Sequence, residues 1–107
     1  MPVAVANDPI LKRFRAALDA LYGKRIERVV LYGSRARGDH HLESDYDIAV
    51  FLNDLTDRWH ELDRLADLSA GILEETGEFI HAMAYRAGFY NERTSLMREI
   101  RHDGVDL

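Results

Sequence analysis

The chain of 107 residues has no cysteine and only two prolines. Without cysteine, a disulfide framework, a thiolate zinc site and a cysteine nucleophile are excluded, so carboxylates or imidazoles must hold any metal. No apolar run reaches the roughly 18–20 residues of a membrane span, and residues 1–8 lack the basic and then apolar plan of a secretory signal. We therefore expect one cytoplasmic domain over residues 1–107, with no membrane partner.

A basic surplus is also missing, since 14 Lys and Arg stand against 19 Asp and Glu and give a net charge of -5. Proteins that bind nucleic acid neutralise phosphates with basic side chains, so we expect no stable nucleic-acid binding. The charge is unevenly distributed: residues 1–40 carry a balance of +4 and residues 41–107 a balance of -9. The N-terminal part is suited to an anionic ligand, although solvated helix faces explain the same counts.

Hydrophobic periodicity predicts helices that alternate with strands. The predicted strands cover residues 25–32, 45–52 and 78–85. The predicted helices begin after Asp8, after Thr56 or Asp57, and after Asn91, and they end at Gly23, Gly77 and Gly104. In the second long helix we expect Trp59 and the apolar stripe around it to lie in the core.

A glycine–serine pair and two aspartates occupy the ends of two successive strands. Asp45 and Asp47, two residues apart on a strand, project from one face and can converge on a cation. Two close carboxylates repel each other, and Mg²⁺ relieves this while it also binds nucleotide phosphates. Gly33 allows close backbone approach to a phosphate, and Ser34 adds a hydroxyl and an N–H donor.

Charged residues follow this pair along the chain. Arg35 and Arg37 supply positive charge beside the predicted phosphate loop. Either arginine can instead pair with Asp39 or Glu43, and such surface pairs are common. We interpret residues 40–41, both histidines, as part of a solvated polar loop rather than as metal ligands.

The sequence Gly33-Ser34, followed after ten residues by Asp45-Tyr46-Asp47, resembles the motif of the DNA polymerase β-like nucleotidyltransferase superfamily, and its minimal nucleotidyltransferases in particular. The resemblance covers nearly the whole chain. It implies an α/β fold with a small mixed sheet flanked by helices, Mg²⁺ held by Asp45 and Asp47, and nucleotide contacts from Gly33, Ser34 and the two arginines. It also implies transfer of AMP from ATP to a hydroxyl, with release of pyrophosphate.

Many proteins of this type act beside a HEPN-domain ribonuclease toxin, as antitoxins that transfer AMP to a tyrosine of the toxin. The resemblance therefore implies a HEPN toxin as partner, a hetero-oligomer with it, and ATP as donor. Two alternatives remain open: a weak or inactive binding module that neutralises the toxin by contact, and a transferase that acts on a small-molecule hydroxyl.

One feature departs from the superfamily pattern, which usually places a third carboxylate on the following strand. In the predicted strand 78–85, Glu78 lies at the start and His81 occupies the interior, where the acid is expected. Both are candidates for a third metal ligand or base, although a lone strand histidine is more often a packed or surface residue. The departure leaves open whether the chain catalyses transfer or only binds.

Overall fold

The computed structural model describes residues 3–39 and 44–107. Their helices are α1 (Val3–Ala6), α2 (Pro9–Tyr22), α3 (Ser34–Arg37), α4 (Arg58–Thr76) and α5 (Ser95–Asp103). Their strands are β1 (Ile26–Tyr32), β2 (Tyr46–Leu52), β3 (Ile80–Arg86) and β4 (Val105–Asp106). Within these ranges, no helix combines the length and the apolar character that crossing a membrane requires.

Polar caps set the helix ends, mostly where the sequence predicts them. The Asp8 carboxylate accepts hydrogen bonds from the first turn of α2, and the Asp57 carboxylate does the same for α4. Gly77 ends α4 in the left-handed conformation, at φ +79°. The predicted start of α5 after Asn91 is wrong, because Asn91 closes a 3₁₀ turn; the Thr94 hydroxyl instead accepts from the first turn of α5.

The four strands form one mixed sheet in the order β3-β2-β1-β4. β2 runs antiparallel to β1, so the end of β1 lies beside the start of β2 and Tyr32 pairs with Asp47. β3 runs parallel to β2 on the other side, and there His81 pairs with Asp47. Asp47 therefore lies between the turn that follows β1 and the outer strand β3.

Helices cover both faces of the sheet. One face packs against α2 and α4 in a core that includes Phe14, Leu18 and Leu65, and we call it the α2–α4 face. The opposite face, the α5 face, packs against Met97 and Ile100. Because side chains alternate along a strand, Asp47 shares the α5 face with the buried residues two and four positions further along β2.

Trp59 is an exception to the predicted core, since its side chain is 77% exposed. The buried positions of α4 are Glu61, Leu65, Ser69 and Ile72. At 3.6 residues per turn, Trp59 lies roughly 200° around the helix from Glu61, so it points away from the sheet. The prediction was wrong because the apolar stripe of α4 is wider than its buried face.

An ionic cluster around a buried glutamate joins α4 to the 3₁₀ turn that precedes β1. The Glu61 side chain is only 4% exposed and lies 3.0 Å from Arg25 Nη2 and 3.1 Å from Arg64 Nη1. Both guanidinium groups also lie over the ring of Tyr22, at 5.5 and 5.2 Å from its centre. A buried carboxylate needs such partners, because burial without them costs several kcal/mol.

We expect Glu61→Gln to lower the free energy of unfolding by about 2 kcal/mol, because the amide turns donors toward two guanidinium groups. Urea denaturation measures the change. Glu75→Gln is the matched control, since Glu75 pairs with Arg13 on the exposed surface and its loss should cost under about 1 kcal/mol. Equal losses of unfolding free energy in the two variants would show that the buried Glu61 carboxylate contributes no more to stability than the exposed Glu75 carboxylate.

Candidate active site

The turn after β1 packs directly against a carboxylate of β2. Gly33 has φ +75° and ψ -159°, a conformation that only glycine adopts readily. A Cβ at this position would lie 2.5 Å from Asp47 Oδ2. The predicted phosphate loop and the predicted metal ligand are therefore adjacent, and they approach so closely because residue 33 has no side chain.

The two aspartates differ in their surroundings. Asp47 is the second residue of β2 and its side chain is 34% exposed, whereas Asp45 is exposed and precedes the strand. Within residues 3–39 and 44–107, no three His, Asp or Glu side chains are grouped tightly enough to hold a metal ion. Two carboxylates with solvent access still fit Mg²⁺, which binds one or two carboxylates and keeps several waters. Their role as ligands stays a prediction.

Of the two candidates for a third ligand or base, His81 lies beside Asp47. Its Nδ1 is 3.6 Å from Asp47 Oδ1, and its side chain is 53% exposed. Glu78 precedes β3, and its Oε2 lies 3.5 Å from Arg35 Nη2. The sheet register thus brings His81 to the position where the third acid is expected, while Glu78 pairs with an arginine.

Arg35 connects α3 with the segment before β2. Its side chain is 11% exposed, its Nε donates to the carbonyl of Ser44 at 2.9 Å, and its guanidinium lies 3.9 Å from the centre of the Tyr46 ring. The Tyr46 hydroxyl donates to Asp8 Oδ2 at 2.7 Å. Burial, and then this hydrogen bond, raise the pKa of Tyr46, so its phenol stays protonated. These contacts hold α3 against the segment that leads into β2. The predicted phosphate contact of Arg35 stays a prediction.

Arg37 connects α3 with α5. Its Nε donates to Asp39 Oδ2 at 3.1 Å, and its Nη1 lies 3.6 Å from Asp103 and 3.9 Å from Glu99. The pairing with Asp39 is one of the alternatives that the sequence left open. The other alternative, Glu43, lies outside the described residues, as do the histidines at 40–41.

Tyr32 is a further member of the site that the sequence analysis missed. It is buried at the end of β1 and pairs with Asp47 across the sheet. Burial, and to a lesser degree Tyr85 and Asp47, raise its pKa to about 12. The phenol therefore stays neutral near pH 7 and adds no negative charge beside the carboxylate. The proximity of Tyr32 to Asp47 follows from the register of β1 and β2, which the sequence does not show.

Comparison with known proteins identifies the family. Residues 19–105 match the model of the family described as "Polymerase beta, Nucleotidyltransferase". The chain belongs to this family, which confirms the predicted enzyme class, a nucleotidyltransferase.

Two relatives agree with this assignment. A protein of Methanocaldococcus jannaschii named "Putative protein adenylyltransferase" is 32% identical over 100 residues, which cover 92% of this chain and 94% of the relative. A second protein of that organism with the same name is 24% identical over 98 residues, 92% of this chain and 95% of that relative.

Two crystal structures share the fold. One, described as a "putative nucleotidyltransferase" from Sulfolobus solfataricus, has a TM-score of 0.65 at 18% identity and covers 91% of this chain and 75% of that chain. The other, a toxin-antitoxin complex with AMP-PNP, has a TM-score of 0.60 at 20% identity and covers 89% of this chain and 70% of that chain. The predicted α/β fold with a small mixed sheet is confirmed.

We expect Gly33→Ala to weaken the binding of ATP with Mg²⁺ at least about tenfold, or 1.4 kcal/mol, because the new methyl group displaces the Asp47 carboxylate. Titration calorimetry measures the affinity. Gly38→Ala is the matched control: Gly38 has φ +85°, but a Cβ there meets nothing within 4 Å. Gly38 lies in the left-handed region, which strains an alanine less than the conformation of Gly33 does. An equal loss of affinity in both variants would contradict the importance of the Gly33–Asp47 contact.

Proposed function

We propose that the chain transfers AMP from ATP to a tyrosine hydroxyl of a HEPN-domain ribonuclease toxin and acts as the antitoxin in a hetero-oligomer with it. The contact between Gly33 and Asp47 carries the proposal, because it puts a phosphate loop and a metal ligand side by side. The names of the relatives support a protein acceptor. A toxin-antitoxin neighbour with AMP-PNP supports the donor and the partner class.

Two aspartates and the glycine turn form the nucleotide site in this proposal. Asp45 and Asp47 would hold Mg²⁺, which neutralises charge on the triphosphate. Gly33 lets the phosphates approach the backbone, and the Ser34 hydroxyl and N–H donate to phosphate oxygens. Arg37 would contact the phosphates by exchanging its pairing with Asp39 and Asp103 for one with the nucleotide.

The reaction needs an attacking hydroxyl on the side of the α-phosphorus away from the leaving group. The acceptor oxygen bonds to the α-phosphorus, the bond from that phosphorus to the pyrophosphate oxygen breaks, and the hydroxyl proton passes to a base. The protein contributes mainly by positioning and by electrostatic stabilisation. His81, beside Asp47, takes the place of the third carboxylate as ligand or base.

Intact-mass spectrometry tests the transfer. The chain is incubated with ATP, Mg²⁺ and a HEPN-domain protein from a neighbouring gene. We expect the HEPN-domain protein to gain the mass of one or more AMP units. The Asp45→Asn, Asp47→Asn double variant should abolish the gain, because it removes both carboxylate charges from the nucleotide site.

A stable complex without any mass gain would contradict transfer. It would favour the second candidate, neutralisation by contact alone, which the replacement of the third carboxylate by His81 supports.

If the HEPN-domain protein does gain mass, peptide mapping identifies the residue that carries AMP. Modification at residues other than tyrosine would contradict the proposed target.

We expect His81→Phe to lower the rate of pyrophosphate release by about 10- to 100-fold, the usual effect of losing a group that orients a metal ligand. The magnesium concentration at half-maximal rate should rise as well, which a purely structural role would not cause. His102→Phe is the matched control, since His102 lies 3.4 Å from Asp103 but is 80% exposed on α5. An unchanged rate and magnesium dependence in His81→Phe would exclude a role for this residue.

A further inference from the structure

We propose that the acceptor protein docks on α4 through an amphipathic helix whose apolar face is bordered by basic side chains. The inference rests on the proposed function and names the surface that binds the acceptor. Three features of the described residues carry it: an apolar stripe along α4, an acidic row beside this stripe, and a cavity that extends to His81.

Large apolar side chains are exposed mainly on α4 and beside it. Among residues 3–39 and 44–107, four large apolar side chains are exposed, and three of them lie here. Trp59 is 77% exposed, Leu73 is 42% exposed, and Phe79, just before β3, is 40% exposed. Apolar side chains that cluster on a surface in this way mark a site of interaction with another molecule.

The stripe on α4 follows from the helical period. Leu65 is buried at the centre of the face that packs on the sheet. At 100° per residue, the stripe lies roughly 60–140° around the helix from Leu65. Its residues are Trp59, Leu62, Ala66, Ala70 and Leu73. At 1.5 Å per residue the stripe is about 21 Å long, which suits a docked helix of about four turns.

The stripe forms one wall of a groove, and the edge of β3 forms the other. A cavity of about 190 Å³ lies between the two walls. The second wall consists of Phe79, Ile80, His81 and Ala82. We call the stripe and this wall together the α4 groove. Ala66 and Ala70 occupy the middle of the stripe, and small side chains there let another helix approach closely.

The outer edge of β3 favours a helix over a strand as the occupant. Arg58 Nε donates to the Ala84 carbonyl at 3.0 Å, and Ala84 itself is 0% exposed. Ile80, at the other end of this edge, is 1% exposed. An added strand therefore finds no continuous row of accessible backbone groups. A helix satisfies its own backbone groups and needs only an apolar groove.

An acidic row borders the stripe on its solvent side. Asp63, Asp67 and Glu74 are exposed, and they lie roughly 160–200° around the helix from Leu65. This row attracts a basic helix and repels nucleic acid. It also disfavours a second copy of the chain, because antiparallel pairing of two α4 helices about a two-fold axis would place the two acidic rows side by side.

His81 connects the α4 groove with the candidate metal site. It lines the cavity, and its Nδ1 lies 3.6 Å from Asp47 Oδ1. The end of the groove at Leu73 and Phe79 is therefore the end near the nucleotide, and Trp59 lies at the far end. The acceptor tyrosine then belongs to the segment that leaves the docked helix at the near end.

Fluorine NMR of Trp59 tests the docking directly, because it is the one tryptophan of the chain. The chain is labelled with fluorotryptophan, and the HEPN-domain protein from the neighbouring gene is added without ATP. We expect the Trp59 signal to shift and to become inaccessible to a soluble paramagnetic probe. A stable complex in which the Trp59 signal is unchanged would overturn docking at the α4 groove.

A substitution in the groove should weaken the complex. Ala70→Arg adds bulk and a positive charge where a basic helix docks, so we expect the affinity for the HEPN-domain protein to fall at least about tenfold, with ATP affinity unchanged. Ala20→Arg on α2 is the control, because both alanines are exposed on helices. If thermal unfolding shows that Ala70→Arg is destabilised, Ala66→Arg replaces it. Equal losses of affinity in the groove variant and the control would overturn the proposal.

The charge of the partner is tested through the acidic row. The Asp63→Asn, Asp67→Asn variant should slow association and make it less dependent on salt, as the loss of attractive charges at an interface does. Glu75→Gln is the control, since Glu75 pairs with Arg13 on the side of α4 that faces α2. An unchanged salt dependence in the double variant would overturn the basic character of the docked helix.

Hydrogen exchange identifies the docked segment of the HEPN-domain protein. We expect the complex to protect a helix that has apolar residues at every third or fourth position and Lys or Arg beside them. Protection of loops or extended segments alone would overturn a helix as the occupant.

The outcomes separate the two proposals. AMP transfer with an unchanged Trp59 signal would overturn docking at the α4 groove and leave the proposed function standing. A shifted Trp59 signal in a stable complex that transfers no AMP would contradict the proposed transfer and leave the docking surface standing.

Discussion

The approach of the Gly33 backbone to the Asp47 carboxylate is the constraint on which the site depends. It requires β1 and β2 to be antiparallel neighbours, so that the end of one meets the start of the other. It also requires residue 33 to lack a side chain, since a Cβ would lie 2.5 Å from the carboxylate oxygen. The buried core of both strands keeps this register, and a slip by one residue would turn Asp47 to the other face.

The contacts around the glycine turn distinguish the residues that stabilise its position from those at the candidate metal site. Arg35 lies between Ser44 and the Tyr46 ring, while Arg37 reaches the acidic side chains of α5. Both arginines fix the short helix α3 from opposite sides, so the glycine turn is held in place by the helix that follows it. Asp47 is left partly exposed, with His81 beside it, between this turn and the outer strand β3.

Much of the fold could be predicted from local patterns, because caps and periodicity are local. The caps at Asp8 and Gly77 and the three long strands appear close to their predicted positions. Trp59 could not be placed, since periodicity does not reveal which part of a wide apolar stripe meets the sheet. The strand β4 could not be predicted, because its two residues are too few to show a hydrophobic periodicity.

The residue types of the candidate site could be predicted from the sequence, but the arrangement of these residues in space could not. The motif identified Gly33 and Asp47, yet their contact depends on strand order, which no spacing within the chain encodes. The same holds for His81, which the parallel register of β2 and β3 brings to Asp47. Arg35 could be predicted only in part: its charge predicts a phosphate contact, which stays a prediction, while its contacts with the Ser44 carbonyl, the Tyr46 ring and the Glu78 carboxylate depend on the fold.

The most direct test of this account is to locate the metal–nucleotide complex on the chain in solution. Mn²⁺ with ATP broadens the amide NMR signals of nearby residues. The account predicts selective broadening at Gly33, Ser34, Asp47 and His81, lost in the Asp45→Asn, Asp47→Asn variant. Broadening centred on the exposed acidic residues Asp63, Asp67 and Glu74 of α4, with these four signals unchanged, would contradict it.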